Sequence, residues 1–191
     1  VKLTPIEQAM QSALLKMLRF DISNRSTQHS FPIVVNDLHL QFFNEKAELV
    51  LSEKIIPQCS IGPYRADFLI LFEMNDAKGR VIIECDGHKW HTSSKYQVAY
   101  DRKRDRWFQA NGFKVFRFTG HEIFNNAQHL AVQAWFACWE HMMREGAILL
   151  GLMNDAKTQN YLSKLMVDNS NFVASEKIAI ESIGEEHKCL N

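Results

Sequence analysis

Tyr64 to His91 carries two apolar runs, Ala66–Phe72 and Val81–Cys85, on either side of a Met-Asn-Asp-Ala-Lys-Gly segment. Runs this short and this rich in Ile, Val, Leu and Phe, joined by turn residues, predict an antiparallel hairpin of buried strands. Buried strands should exclude carboxylates, yet Asp67, Glu84 and Asp86 fall within or just after these runs. A loop centred on Asn75-Asp76 makes Asp67 and Glu84 equidistant from the turn. They then face each other across the hairpin with Cβ atoms about 4.5–5.5 Å apart. A one-residue slip would separate them. Asp86, two residues past Glu84, shares its face. Three acids in an apolar setting repel one another unless one holds a proton or a cation lies between them. Mg²⁺ fits such a place, because it takes oxygen ligands from one or two carboxylates and completes its shell with water and phosphate.

The rest of the chain reads as an α/β layer. Thr4-Pro5-Ile6-Glu7 is a capping box, and Ile6, Met10, Ala13, Leu14, Met17 and Leu18 recur at helical spacing behind it. Phe31–Val35 reads as a short strand, Glu48–Ile56 as a longer one ended by Pro57, and Gly62-Pro63 as the turn into the hairpin. Ser93 or Ser94 caps a helix to Asn111 with Gly112 as its stop and Tyr96, Ala99, Tyr100, Trp107 and Ala110 inward. Phe113–Phe118 is a strand, and His121–Arg144 a helix burying Ile123, Phe124, Leu130, Ala134 and Trp135. Phe31–Val35 set aside, the order helix, three strands, helix, strand, helix implies a mixed sheet. Residues 1–145 form the expected domain, and 146–191 a C-terminal extension in which Ala147–Met166 suits one more helix.

Zero formal net charge names no partner, but between Asp86 and Gly120 eight Lys/Arg stand against three Asp. Cations beside a carboxylate cluster are what metal-assisted cleavage of a polyanion needs. The plainer reading is a solvated helix face, with Arg102 to Arg106 interleaved by Asp101 and Asp105. The four scattered cysteines suit reduced thiols in a cytoplasm, and Ala147–Met153 is too short to span a bilayer. The opening residues lack a signal-peptide pattern, and Val1 in place of Met is expected of a processed or trimmed N-terminus.

YRADFLI, then VIIECDGHKWH, then YDRKRDRWFQANGFKVFRF, in that order over roughly Thr4 to Asn125, resemble a very-short-patch-repair-like endonuclease domain of the PD-(D/E)xK nuclease superfamily. The resemblance implies a restriction-endonuclease-like αβββαβ core, the order read above from periodicity. It also implies a metal-dependent DNA endonuclease using Mg²⁺ or Mn²⁺. Asp67, Glu84 and the Cys85 backbone carbonyl correspond to the metal ligands, and Glu7 to an accessory acid. Asp86 stands where the motif has lysine and is expected to assist as a ligand or to orient water, which leaves Lys89 and His91 as the lysine's substitutes in acid/base or electrophile roles, His91 by its matching position. Arg65, Lys89, Lys95 and Lys103 are the candidate phosphate contacts.

Each of these residues also has a plainer reading. Glu7 is explained by the capping box, Asp86-Gly87 by a strand end, and His91 by packing on Trp90. Arg104 with Asp105 reads as an ion pair locking helix to sheet. Cys85, His88 and His91 are zinc-binding types at a spacing that matches no structural zinc pattern. DNA is the expected partner, with RNA and homodimerisation left open. The rival is an inactive nuclease-fold module that binds nucleic acid or a partner protein.

Overall fold

The computed structural model describes residues 2–25, 30–87 and 95–149, with side chains at 2–19, 32–87 and 95–146. Helix α1 (Pro5–Arg25) precedes strands β1 (Ser30–Asn36), β2 (His39–Asn44), β3 (Leu49–Ile61), β4 (Tyr64–Met74) and β5 (Ala77–Asp86). Helix α2 (Lys95–Ala110), strand β6 (Lys114–Thr119) and helix α3 (Gly120–Leu149) follow. The six strands lie in sequence order, antiparallel except for the parallel pair β5–β6, whose crossover is α2. The mixed α/β sheet flanked by helices is the expected architecture. The hairpin β1–β2 widens it beyond the three strands expected before α2. Whether 146–191 forms a separate unit lies mostly outside the described residues, as does the helix expected over 147–166; α3 itself runs on to Leu149.

Two apolar layers sandwich the sheet. On one face Phe68, Ile70, Phe72, Val81, Ile83 and Cys85 pack against Met10, Leu14 and Met17 of α1 and Trp135, Cys138 and Met142 of α3. On the other, Ala66, Leu69 and Ile82 pack against Phe108 of α2. Because β4 and β5 are buried on both faces, their sequences read as unbroken apolar runs. Gly79 lets α3 lie directly on β5, since a Cβ there would run into the Cys138 carbonyl.

The strand expected to stop before Pro57 continues to Ile61. The reason is positional. The N–H of Ile55 donates to Leu38 O at 2.9 Å, the last rung toward β2, so the missing N–H of Pro57 points past the end of that strand. Helix α2 also departs from expectation. Phe108 is its buried residue, whereas Tyr96, Ala99 and Ala110 are exposed. In α3, Ile123 is buried as expected but Phe124 is 86% exposed, and the backbone kinks at Asn126 (φ −145°).

α2 ends as expected at Gly112 (φ 79°). The N–H of Phe113 donates to Phe108 O at 3.0 Å, and that of Gly112 to Gln109 O at 3.1 Å. A Cβ at Gly112 meets Arg80 Nη1 at 3.4 Å, a flexible neighbour, so the cost of Gly112→Ala comes from backbone strain. It is expected to be about 1 kcal/mol, read as a lowered denaturant midpoint at unchanged slope.

Among the described residues no helix is long and apolar enough to cross a membrane. Cys59, Cys85 and Cys138 are free thiols.

Candidate active site

The β4–β5 register pairs Met74 with Ala77 and ends at Phe68 with Ile83, so the next residues out are Asp67 and Glu84, as the hairpin pattern requires. Here the ladder gives way to side chains. Asp67 Oδ2 accepts the Cys85 backbone N–H at 2.8 Å. On the other side of β4 the pairing with β3 skips from Pro57↔Phe68 to Cys59↔Ala66. Gln58, in the gap, adopts φ 51°, a conformation costly for a residue with a Cβ. The face alternation reverses at this row: Ile56 and Leu69 on one side of it, and Cys59 and Ala66 on the other, all reach the α2 layer.

Gln58 is the hub that sequence reading missed. Its Nε2 donates to Glu7 Oε1 at 3.3 Å and lies 3.5 Å from Asp67 Oδ1, while its Oε1 accepts from Arg65 Nη2. The only signal for it is a polar residue just after the proline in β3. Glu7 meets both readings made of it. Its Oε2 accepts the Thr4 N–H at 2.6 Å as a capping box, and its Oε1 faces Gln58. Arg65 is exposed at the rim.

Glu84 is 4% exposed. Its Oε2 accepts from Arg104 Nη2 at 2.9 Å, and its Oε1 has no hydrogen-bond partner among the described residues. Burial, opposed by Arg104 and reinforced by Asp67, pushes the Glu84 carboxyl up to about 7. Burial likewise raises Asp67, against the Cys85 N–H bond that lowers it. Partial protonation of Glu84 near neutral pH therefore relieves part of the repulsion, and Arg104 offsets the charge of its ionised form.

The third acid is engaged elsewhere. Asp86 shares the face of Glu84, but both its oxygens accept from Arg117 Nη1 at 3.2 Å. Arg117 also holds Asp105, Nη2 to Oδ1 at 2.7 Å. Arg104 thus pairs with Glu84 and, at 3.8 Å, Asp101; the expected Arg104–Asp105 lock between helix and sheet is made with these other partners. These contacts occupy both oxygens of the acid expected to assist as a ligand or to orient water. Among the described residues no three His, Cys, Asp or Glu side chains gather closely enough to hold a metal. Two carboxylates and a carbonyl remain. In an extended strand N–H and C=O of one residue point to the same edge, so the Cys85 carbonyl faces the side of Asp67.

Lys95 and Lys103 are exposed on α2. Lys89, His91 and the zinc-type residues His88 and His91 lie outside the described residues.

Residues 49–137, a little under half of the chain, match the model of a restriction-endonuclease-like family, REase_MTES_1575. The matched span runs from β3 into α3 and includes Gln58, Asp67, Glu84, Asp86, Arg104 and Arg117. It supports the nuclease superfamily and a nuclease-type function. No curated protein and no solved structure gives a match.

Proposed function

We propose that the chain is a metal-dependent DNA endonuclease of the very-short-patch-repair-like kind, with Asp67 and Glu84 as the carboxylates that take Mg²⁺ or Mn²⁺. The observation that carries this reading is the buried Glu84 Oε1, on the residue next beyond the Phe68–Ile83 pair and without a partner among the described residues. Evolutionary design aside, a carboxylate oxygen left bare at such depth is costly unless something binds it. Asp67, Glu84 Oε1 and the Cys85 carbonyl form an all-oxygen donor set suited to a hard ion completed by water and substrate phosphate. Such an ion would supply polarisation of the scissile phosphate and acidify water.

The chain's own residues do the remaining work. Gln58 fixes the orientation of Asp67 and Glu7, and Arg104 fixes Glu84. Arg65, Lys95 and Lys103 hold backbone phosphates at the rim, with Lys89 and His91 as further electrophile or acid/base. Asp86, with Arg117 and Asp105, anchors α2 to β6.

Calorimetric titration with Mg²⁺ or Mn²⁺, wild type against Glu84→Ala, together with plasmid nicking on the same samples, tests this. Loss of both metal binding and nicking in the variant is the expected result. Metal binding without cleavage of any DNA form would favour the inactive binding module, and a folded wild type that binds no metal in the presence of DNA would end the mechanism.

A further inference from the structure

The first part of α2 stands clear of the sheet. Residues 95–100 are all exposed, whereas farther along the helix Tyr100 meets Tyr64 edge-on at 5.9 Å and Arg104 reaches Glu84. A crossover helix that needed only to connect β5 to β6 would not leave aromatic rings in water. Here Tyr96 is 89% and Tyr100 50% exposed, one helical turn apart on the same flank. Lys103 is exposed on the same flank, and Lys95, Arg102 and Arg106 are exposed elsewhere around the helix. Of the two acids in this stretch, Asp101 lies 3.8 Å from Arg104, which also pairs with Glu84, and Asp105 is bonded to Arg117, which also holds Asp86. α2 has no acid in its first turn.

A third ring belongs to the same edge. Thr119 pairs with Asp86, and α3 starts at the next residue, which puts Phe124 about one turn beyond the acid row. The kink at Asn126 accompanies its 86% exposure. Exposed rings among cations at the mouth of a candidate phosphodiesterase site have a definite chemical complement: a polyanion whose bases are unstacked. Duplex DNA offers phosphates to the cations but keeps its base faces covered, whereas a single strand offers both.

We infer that the projecting end of α2 is a single-strand platform, on which Tyr96 stacks an unpaired base while Lys95 and Lys103 hold the flanking phosphates. This rests on the nuclease reading for the choice of polyanion and names the substrate class of that site: DNA with unpaired bases next to the bond to be cut.

The test is fluorescence anisotropy of the full chain in EDTA, with a labelled single-stranded oligonucleotide and the same sequence as duplex, for wild type, Tyr96→Ala and Tyr96→Phe. Tyr96→Ala is expected to weaken single-strand binding about tenfold and leave duplex binding nearly unchanged, with Tyr96→Phe retaining wild-type affinity. Matching thermal melts establish that the exposed substitution leaves the fold intact. Equal losses on both DNA forms, no loss in Tyr96→Ala, or no single-strand binding by wild type would each overturn the inference. Plasmid nicking in Mg²⁺ keeps the two ideas separate. Intact nicking with Tyr96-independent binding removes the platform alone, and Tyr96-dependent binding without nicking of any DNA supports the platform while counting against the nuclease.

Discussion

Asp67→Asn is expected to lower DNA nicking roughly a thousandfold, equivalent to about 4 kcal/mol of transition-state stabilisation, while DNA binding persists. The substitution is nearly isosteric, and its amide oxygen can still accept the Cys85 N–H that Asp67 Oδ2 accepts. The fold should not suffer. Asp67 titrates above the ordinary carboxylate range because burial disfavours its charge, so its ionisation opposes folding at neutral and alkaline pH. Removing that charge should leave the melting temperature unchanged or higher. Gel-shift, nicking and thermal melts on one preparation check all three, and an unaltered nicking rate would instead favour the binding module.

Arg104→Met is expected to destabilise the fold by about 3–5 kcal/mol at alkaline pH, because it strands the buried Glu84 charge. The pH dependence follows from the direction of the Glu84 shift. With its carboxyl raised from 4.5 to about 7, the native state keeps a proton that the unfolded chain has released between those values. Wild-type stability attributable to this group is therefore greatest in acid, declines as pH rises across that window, and levels off once Glu84 is ionised against Arg104. Without Arg104, whose charge lowers the Glu84 pKa, the decline continues to higher pH at up to about 1.4 kcal/mol per unit. Urea unfolding from pH 5 to 9 reads this directly. Parallel curves for variant and wild type would show that the ion pair contributes nothing to holding Glu84.

The hairpin at the centre of the fold was legible because its information is local. Two apolar runs with an Asn-Asp turn between them admit one register that buries both strands, and that register sets Asp67 beside Glu84. The capping box at Thr4 and Glu7 and the glycine stop at Gly112 were legible for the same reason, since each is a contact between residues a few positions apart. The β1–β2 hairpin was only half visible, as Phe31–Val35 shows a strand pattern while His39–Asn44 carries mixed polar residues.

Charge pairing was not legible. Arg104 could be matched with its neighbour Asp105 by spacing, but the two bond to different strands, Arg104 to Glu84 on β5 and Asp105 to Arg117 on β6. That choice depends on how the crossover seats α2 over two parallel strands, a relation that no spacing within the helix encodes. It also moved Asp86 from the acid pair to Arg117. The inner face assigned to α2 failed for a related reason. Periodicity finds an apolar flank but not the length of sheet beneath it, so Tyr96 was expected inside and stands in solvent. Gln58 is the furthest from any sequence signal, because its positive φ and its bonds to Glu7, Asp67 and Arg65 join three separate segments. Strand identity and acid placement thus follow from short-range hydrophobic order. The partners that hold those acids, and the helix end that overhangs them, follow from long-range packing, where burial and charge neutralisation are settled together.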